Sequence, residues 1–172
     1  MSRSGIITFK GTPMTLQGSE LKAGQPAPAF TLHYFADGLK TLTNADLKGK
    51  PTIVSIVPSL DTGVCQIQTK RFSQELASLG DKVNSVTVSR DLPFAQNRFC
   101  GAEDVKNMKL GSDYQSGEFG KSWGVMIDEL KLLTRAVYVL DSQGNVVYSE
   151  IVPEVTSEPD YSAALAALKA AK

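Results

Sequence analysis

Thr52-Ile53-Val54-Ser55-Ile56-Val57 constrains this chain more than any other stretch. The run is almost entirely β-branched, does not alternate with polar residues, and stops at Pro58, which cannot donate to a strand ladder. An unbroken run of this kind predicts a strand buried on both faces, as in a parallel sheet. After the loop Pro58-Ser59-Leu60-Asp61-Thr62, the apolar residues Val64, Ile67, Phe72, Leu76 and Leu79 recur near a 3.6-residue period. They predict an amphipathic helix ended by Gly80. Val83 to Val88 then reads as a second strand.

The remaining segments extend this pattern. Ile6 to Leu16 predicts a β-hairpin around Gly11-Thr12-Pro13. Gly24 to Pro28 reads as a loop, Ala29 to Leu32 as a short strand, and Ala45 to Pro51 has turn chemistry at both ends. Pro93 to Phe99 predicts a short helix closed by Cys100 and Gly101, and Asn107 to Leu110 a brief strand. Gly117 to Gly124 is glycine-rich and fits no one element. Arg135 to Leu140 and Val146 to Glu150 flank Asp141-Ser142-Gln143-Gly144-Asn145 as a second hairpin. Glu158-Pro159-Asp160 opens a last helix of Ala and Leu, with Pro suited to a first turn. The order β-α-β-α-β, hairpin, α predicts an α/β fold with a mixed sheet. The length of 172 residues fits one domain, without internal repeat or linker, at roughly 150 residues per domain.

Charge narrows the function. Lys and Arg number 18 and Asp and Glu 18, for a net charge of zero, whereas a phosphate-backbone binder shows a basic excess. No apolar run approaches the ~20 residues of a membrane span. Met1 to Thr8 lacks the apolar core of a secretory signal, so the expected compartment is the cytoplasm, where thiols stay reduced.

In that setting two cysteines carry the chemistry. Cys65 falls just past the carboxyl end of a sheet strand, where α/β folds bind ligands, and inside the first turn of a helix. Helix N-termini favour negative charge and so favour a thiolate. Making an ordinary thiol mostly ionised at neutral pH takes roughly 3.4 kcal/mol, and an exposed helix end supplies about 0.3–1. A further cation or hydrogen-bond donor is required. Thr62, three positions earlier, suits either a helix N-cap, in competition with Asp61, or a hydroxyl bonded to the sulfur or to a substrate oxygen. Pro58 is a strand stop, or a wall shielding the thiolate. Arg135 opens an apolar strand and reads as a solvated flank, unless the sheet brings it beside Cys65 to supply the cation. Cys65 itself is open to the reading of a small buried hydrophobe.

Cys100 reads as a second core thiol or as a disulfide partner for Cys65. A separation of 35 positions is not a Cys-x-x-Cys redox pair. Two distant cysteines and the one histidine, His33, argue against a zinc site. Neither a metal nor a cofactor is expected.

Pro58-Ser59-Leu60-Asp61-Thr62-Gly63-Val64-Cys65 resembles the Pro-x-x-x-Thr-x-x-Cys peroxidatic loop of the peroxiredoxins, in the form of their bacterial thiol peroxidase subfamily. Asp91 to Glu103 is similar to that subfamily's resolving-cysteine segment, and Arg135 to Asp141 to its arginine-bearing strand. The opening hairpin and the Glu158-Pro159-Asp160-Tyr161 helix start also fit. The resemblance spans nearly the whole chain, although Asp104 to Leu133 matches less distinctively. It implies a thioredoxin-like fold with an N-terminal β-hairpin over about residues 1–18, and a homodimer. It implies reduction of hydrogen peroxide and alkyl hydroperoxides, with Cys65 peroxidatic, Cys100 resolving within the same chain, and thioredoxin as reductant. Pro58, Thr62 and Arg135 would complete the site. Competing readings are a dithiol oxidoreductase of the same fold, a redox sensor or holdase, and a structural protein with two buried thiols.

Overall fold

The computed structural model describes residues 1–172. Seven strands form the main sheet in the order β10 (Val146–Ile151), β9 (Ala136–Leu140), β5 (Thr52–Ile56), β6 (Asn84–Ser89), β7 (Lys109–Ser112), β3 (Thr31–Phe35) and β4 (Leu39–Thr43). At its centre β5 pairs in parallel with β6, and β6 in parallel with β7. Every residue of β5 is buried, as its β-branched run requires. On the other side β9 runs antiparallel to β5, with Ile56 opposite Ala136, and β10 closes that edge. The far edge is the pair β3 and β4. This is a mixed α/β architecture, a sheet of parallel and antiparallel strands with flanking helices.

Helix α1 (Gly63–Leu76) crosses from β5 to β6, and α2 (Pro93–Glu103) from β6 to β7. The short α3 (Glu118–Ser122) follows β7, and α4 (Tyr161–Ala170) ends the fold, its Asp160 carboxylate accepting the Ala163 amide at 2.9 Å. One core lies on the α1 and α4 side, where Ile53, Val137 and Val139 meet Phe72, Leu76 and Leu168. The opposite core surrounds Trp123, Phe119 and Tyr138.

The hairpin β1 (Ser2–Phe9) and β2 (Thr12–Gln17) pairs with β8 (Met126–Ile127) in a separate three-stranded sheet. Its turn is Lys10-Gly11, both at positive φ, so Thr12 and Pro13 belong to β2 and not to the turn. The Glu154 carboxylate accepts hydrogen bonds from Thr8 Oγ1 at 2.5 Å and from the Lys10 and Gly11 amides at 2.9 and 3.1 Å, which ties the turn to the main body.

Several expected elements are corrected. The Ala29–Leu32 strand lies at Thr31–Phe35, and the Asn107–Leu110 strand at Lys109–Ser112. Helix α1 stops at Leu76, before Gly80, which begins a separate 3-10 turn. Its buried face is Cys65, Gln68, Thr69, Phe72 and Leu76, while Ile67 is 52% exposed. The apolar period misplaced this face because its N-terminal half buries Gln68 and Thr69, whose side chains bond Ser55, Arg135 and the Cys65 carbonyl. Helix α2 continues past Gly101 to Glu103 and ends on Asp104 in the left-handed region, so Cys100 lies inside the helix. A helical glycine loses about 1 kcal/mol of propensity, too little to end a helix packed against a sheet.

Candidate active site

Cys65 occupies the third position of α1, after Thr62 as N-cap. Its place follows from β5: the strand ends, Pro58 blocks further pairing, and the chain turns through Ser59 to Thr62 into the helix. The Gln66 amide donates to the Thr62 carbonyl at 3.0 Å, closing the first turn. No acidic side chain occupies that turn, and no side chain caps its amides.

Two expected site residues converge on the sulfur. Thr62 Oγ1 lies 2.6 Å from Cys65 Sγ and 2.9 Å from the Ser59 carbonyl oxygen. Thr62 thus caps the helix by backbone position only; its hydroxyl serves the sulfur. Arg135 Nη2 donates to Cys65 Sγ at 3.3 Å. Arg135 is 2% exposed, which overturns the solvated-flank reading. Because β9 is antiparallel to β5, the start of β9 lies beside the end of β5, and Arg135 immediately precedes Ala136. Two further bonds fix the guanidinium: Nε donates to the Val155 carbonyl at 2.7 Å and Nη1 to Gln68 Oε1 at 2.8 Å. A guanidinium keeps its charge in such a site and presents its donors in a rigid plane. Pro58 is buried at the end of β5.

Gln68 was not among the residues singled out from sequence. It is fully buried on α1, one turn after Cys65, and donates from Nε2 to Ser55 Oγ at 2.7 Å while accepting from Arg135. Thr69 donates to the Cys65 carbonyl at 2.8 Å. Two polar residues on the inward face of an otherwise amphipathic helix, adjacent to its cysteine, were the available sign.

Cys65 is 0% exposed, whereas Thr62 at its side is exposed. Cys100 is half-buried against the same core, and both cysteines are free thiols. Burial pushes the Cys100 thiol up from its ordinary range. The middle of α1 is tied to the C-terminal end of α2 by the Lys70–Glu103 ion pair at 2.8 Å, and the Ser73 carbonyl of α1 accepts from Asn107 Nδ2, in the segment after α2, at 2.6 Å. His33 is half-buried with its ring edge-on to Tyr114 at 5.6 Å. A sulfur held by a fixed cation, a hydroxyl and a helix N-terminus is arranged to act as a nucleophile and to stabilise charge developing beside it.

Residues 22–165 match the family model described as Redoxin. The chain is 51% identical over 164 residues to the thiol peroxidase of Bacillus subtilis, covering 95% of this chain and 96% of that protein. It is 48% identical over 164 residues to the thiol peroxidase of Streptococcus sanguinis, covering 95% and 99%. A peroxiredoxin-like protein from Aquifex aeolicus superposes with a TM-score of 0.87 at 35% identity, covering 98% of each chain. The thiol peroxidase from Chromobacterium violaceum shares the fold, with a TM-score of 0.82 at 18% identity over 95% of each chain. No helix is long and apolar enough to cross a membrane. With its fold, its sulfur-centred site and these relatives, the chain belongs to the redoxin family as a peroxiredoxin of the bacterial thiol peroxidase type, a peroxidase and oxidoreductase.

Proposed function

We propose that the chain reduces hydrogen peroxide and alkyl hydroperoxides through Cys65 and an intramolecular Cys65–Cys100 disulfide, and that thioredoxin restores the dithiol. The observation that carries this reading is the convergence of Arg135 Nη2 and Thr62 Oγ1 on the buried Cys65 sulfur, at 3.3 and 2.6 Å. The Cys65 thiolate attacks one peroxide oxygen. The S–O bond forms as the O–O bond breaks, and the departing oxygen takes a proton and leaves as water or alcohol. The sulfur is oxidised by two electrons to the sulfenic acid. Arg135 stabilises the negative charge passing from sulfur to the departing oxygen, Thr62 orients the peroxide, and Pro58 restricts water. Cys100 sulfur then attacks the sulfenic sulfur, forming S–S and releasing the oxygen as water. An external dithiol supplies the two electrons that close the cycle.

A disulfide needs Cα atoms within about 7 Å. Cys65 sits in the first turn of α1 and Cys100 near the end of α2, so the start of α1, the Cys100 segment or both unwind during turnover. We further take residues 1–172 as one domain with about 1–18 as a hairpin extension, acting as a homodimer in the cytoplasm. Hydroperoxide consumption with thioredoxin, thioredoxin reductase and NADPH tests the assignment. Wild type is expected to turn over, Cys65→Ser to be inactive, and Cys100→Ser to stall after the first oxidation. Unchanged turnover in Cys65→Ser would overturn it.

A further inference from the structure

Asp91 takes no part in the steps above, yet it holds the loop that carries Thr62. It lies between β6 and α2. One carboxylate oxygen accepts from Ser59 Oγ at 2.7 Å; the other accepts from the Leu60 amide at 2.8 Å and from Ser89 Oγ at 2.7 Å. Its carbonyl accepts a bond from the Ser112 hydroxyl at the end of β7. Ser89 Oγ also accepts from Gln96 Nε2 at 3.0 Å, and that nitrogen reaches the Gly111 carbonyl at 3.1 Å. Gln96 is 2% exposed and lies on α2, one turn before Cys100. The base of α2 is thus pinned to the ends of β6 and β7 and, through the Asp91 carboxylate, to the loop between β5 and α1. Cys65 follows Leu60 by five residues, and Cys100 follows Asp91 by nine. Both cysteines hang from one bracket.

We propose that Asp91 is a positioning residue that acts on the two chemical steps in opposite directions, a proposal that rests on Cys65 being the peroxide-reactive sulfur. Before oxidation, its charge-assisted bonds hold Ser59 and Leu60. They thereby hold the Ser59 carbonyl and the Thr62 hydroxyl that faces the sulfur. After oxidation, the same bonds keep Ser59 and Leu60, which lead into α1, in place while the first turn of the helix unwinds. This restrains Cys65 from travelling toward Cys100 and lengthens the time the sulfenic acid is open to a second peroxide. That second attack would form another S–O bond, break another O–O bond, and give sulfinic acid.

The test compares wild type, Asp91→Asn and Ser59→Ala by rapid mixing with hydrogen peroxide, acid quench, thiol blocking and mass measurement of the Cys65 and Cys100 peptides. Asp91→Asn is expected to slow the first oxygen addition at Cys65 about tenfold, the scale of one hydrogen bond to a charged group. It is expected to speed disulfide formation several-fold, roughly as loss of one such tether would, and to lower the sulfinic fraction at high peroxide. Ser59→Ala, which removes one of the carboxylate's partners, is expected to move both steps the same way by less. Combined with Asp91→Asn, it should add little. Wild-type rates in both variants would overturn the proposal. So would a parallel slowing of both steps that tracks a fall in melting temperature, which is the signature of a merely structural role. If the wild-type Cys65 peptide gains neither oxygen nor a disulfide, the assignment of Cys65 falls and takes this inference with it. Oxygen addition that is indifferent to residue 91 overturns the inference alone.

Discussion

Replacing Thr62 by Val isolates the contribution of one hydroxyl to the reaction. The side chain is exposed, nearly isosteric with Val, and makes no bond to the free amides of α1. Its Oγ1 stands between two acceptors, the Ser59 carbonyl at 2.9 Å and the Cys65 sulfur at 2.6 Å, with one hydrogen to give. When the sulfur is a thiol, its S–H can donate to Oγ1 while the hydroxyl donates to Ser59. When the sulfur is a thiolate, the hydroxyl can turn toward it. A hydrogen bond to a charged group contributes about 1.5–3 kcal/mol. At 1.36 kcal/mol per decade, Thr62→Val should slow Cys65 oxidation roughly 10- to 150-fold. Stability should barely change, because the cap bond that usually makes an N-cap threonine valuable is absent. A loss under about 1 kcal/mol corresponds to roughly 2–4 °C in a chain of this size. The assay is peroxide loss at stoichiometric enzyme in a stopped flow, beside a thermal melt, with Thr62→Ser as the variant that restores the hydroxyl. Reaction of Thr62→Val within twofold of wild type would refute the assigned role of this hydroxyl.

Three further outcomes follow from individual contacts. Gln68→Leu removes the bonding partner of both Arg135 Nη1 and Ser55 Oγ in the buried core. It should destabilise the fold by about 2–4 kcal/mol in urea titration, and it should slow Cys65 oxidation as the guanidinium loses one of its fixing bonds. Burial raises the Cys100 thiol, so the folded chain holds that proton more tightly than the unfolded one. Stability should therefore fall as pH rises from the ordinary thiol range through the folded value, and Cys100→Ser should flatten that part of a melting-temperature profile. Conversely, the bonds from Thr8, Thr156 and the turn amides hold the Glu154 carboxyl well below the usual carboxylate range. Its stabilisation is present above that range and lost as pH falls below it, so Glu154→Gln should lower the melting temperature at neutral pH and blunt its decline in acid.

Much of the site was legible in the sequence. Pro58 after a β-branched run, and Cys65 in the first turn of the next helix, follow from local chemistry: proline ends a ladder, and a helix begins where the periodicity starts. Thr62 was readable as a candidate for both capping and sulfur contact, and the structure assigns its hydroxyl to the sulfur. The elements that escaped are those with the weakest local signal. Strand β4 is a polar edge strand, β8 has two residues, and α3 is a single turn among glycines. The length of α2 was also hidden, because a glycine at its end looks like a stop when the sheet beneath it cannot be seen.

The sequence by itself determined the layered α/β class, the central strand and the position of Cys65 at a strand-to-helix turn. These depend on periodicity, β-branching and turn residues, which act over a few positions. Tertiary structure alone decided that Arg135 is a buried cation and not a surface flank, because only the antiparallel placement of β9 beside β5 brings the start of one strand to the end of the other. It alone drew Gln68 into that cluster and set Asp91 across the loop between β5 and α1. Such contacts join residues distant in the chain, and their partners are chosen by strand order and direction, which no local pattern of side chains encodes.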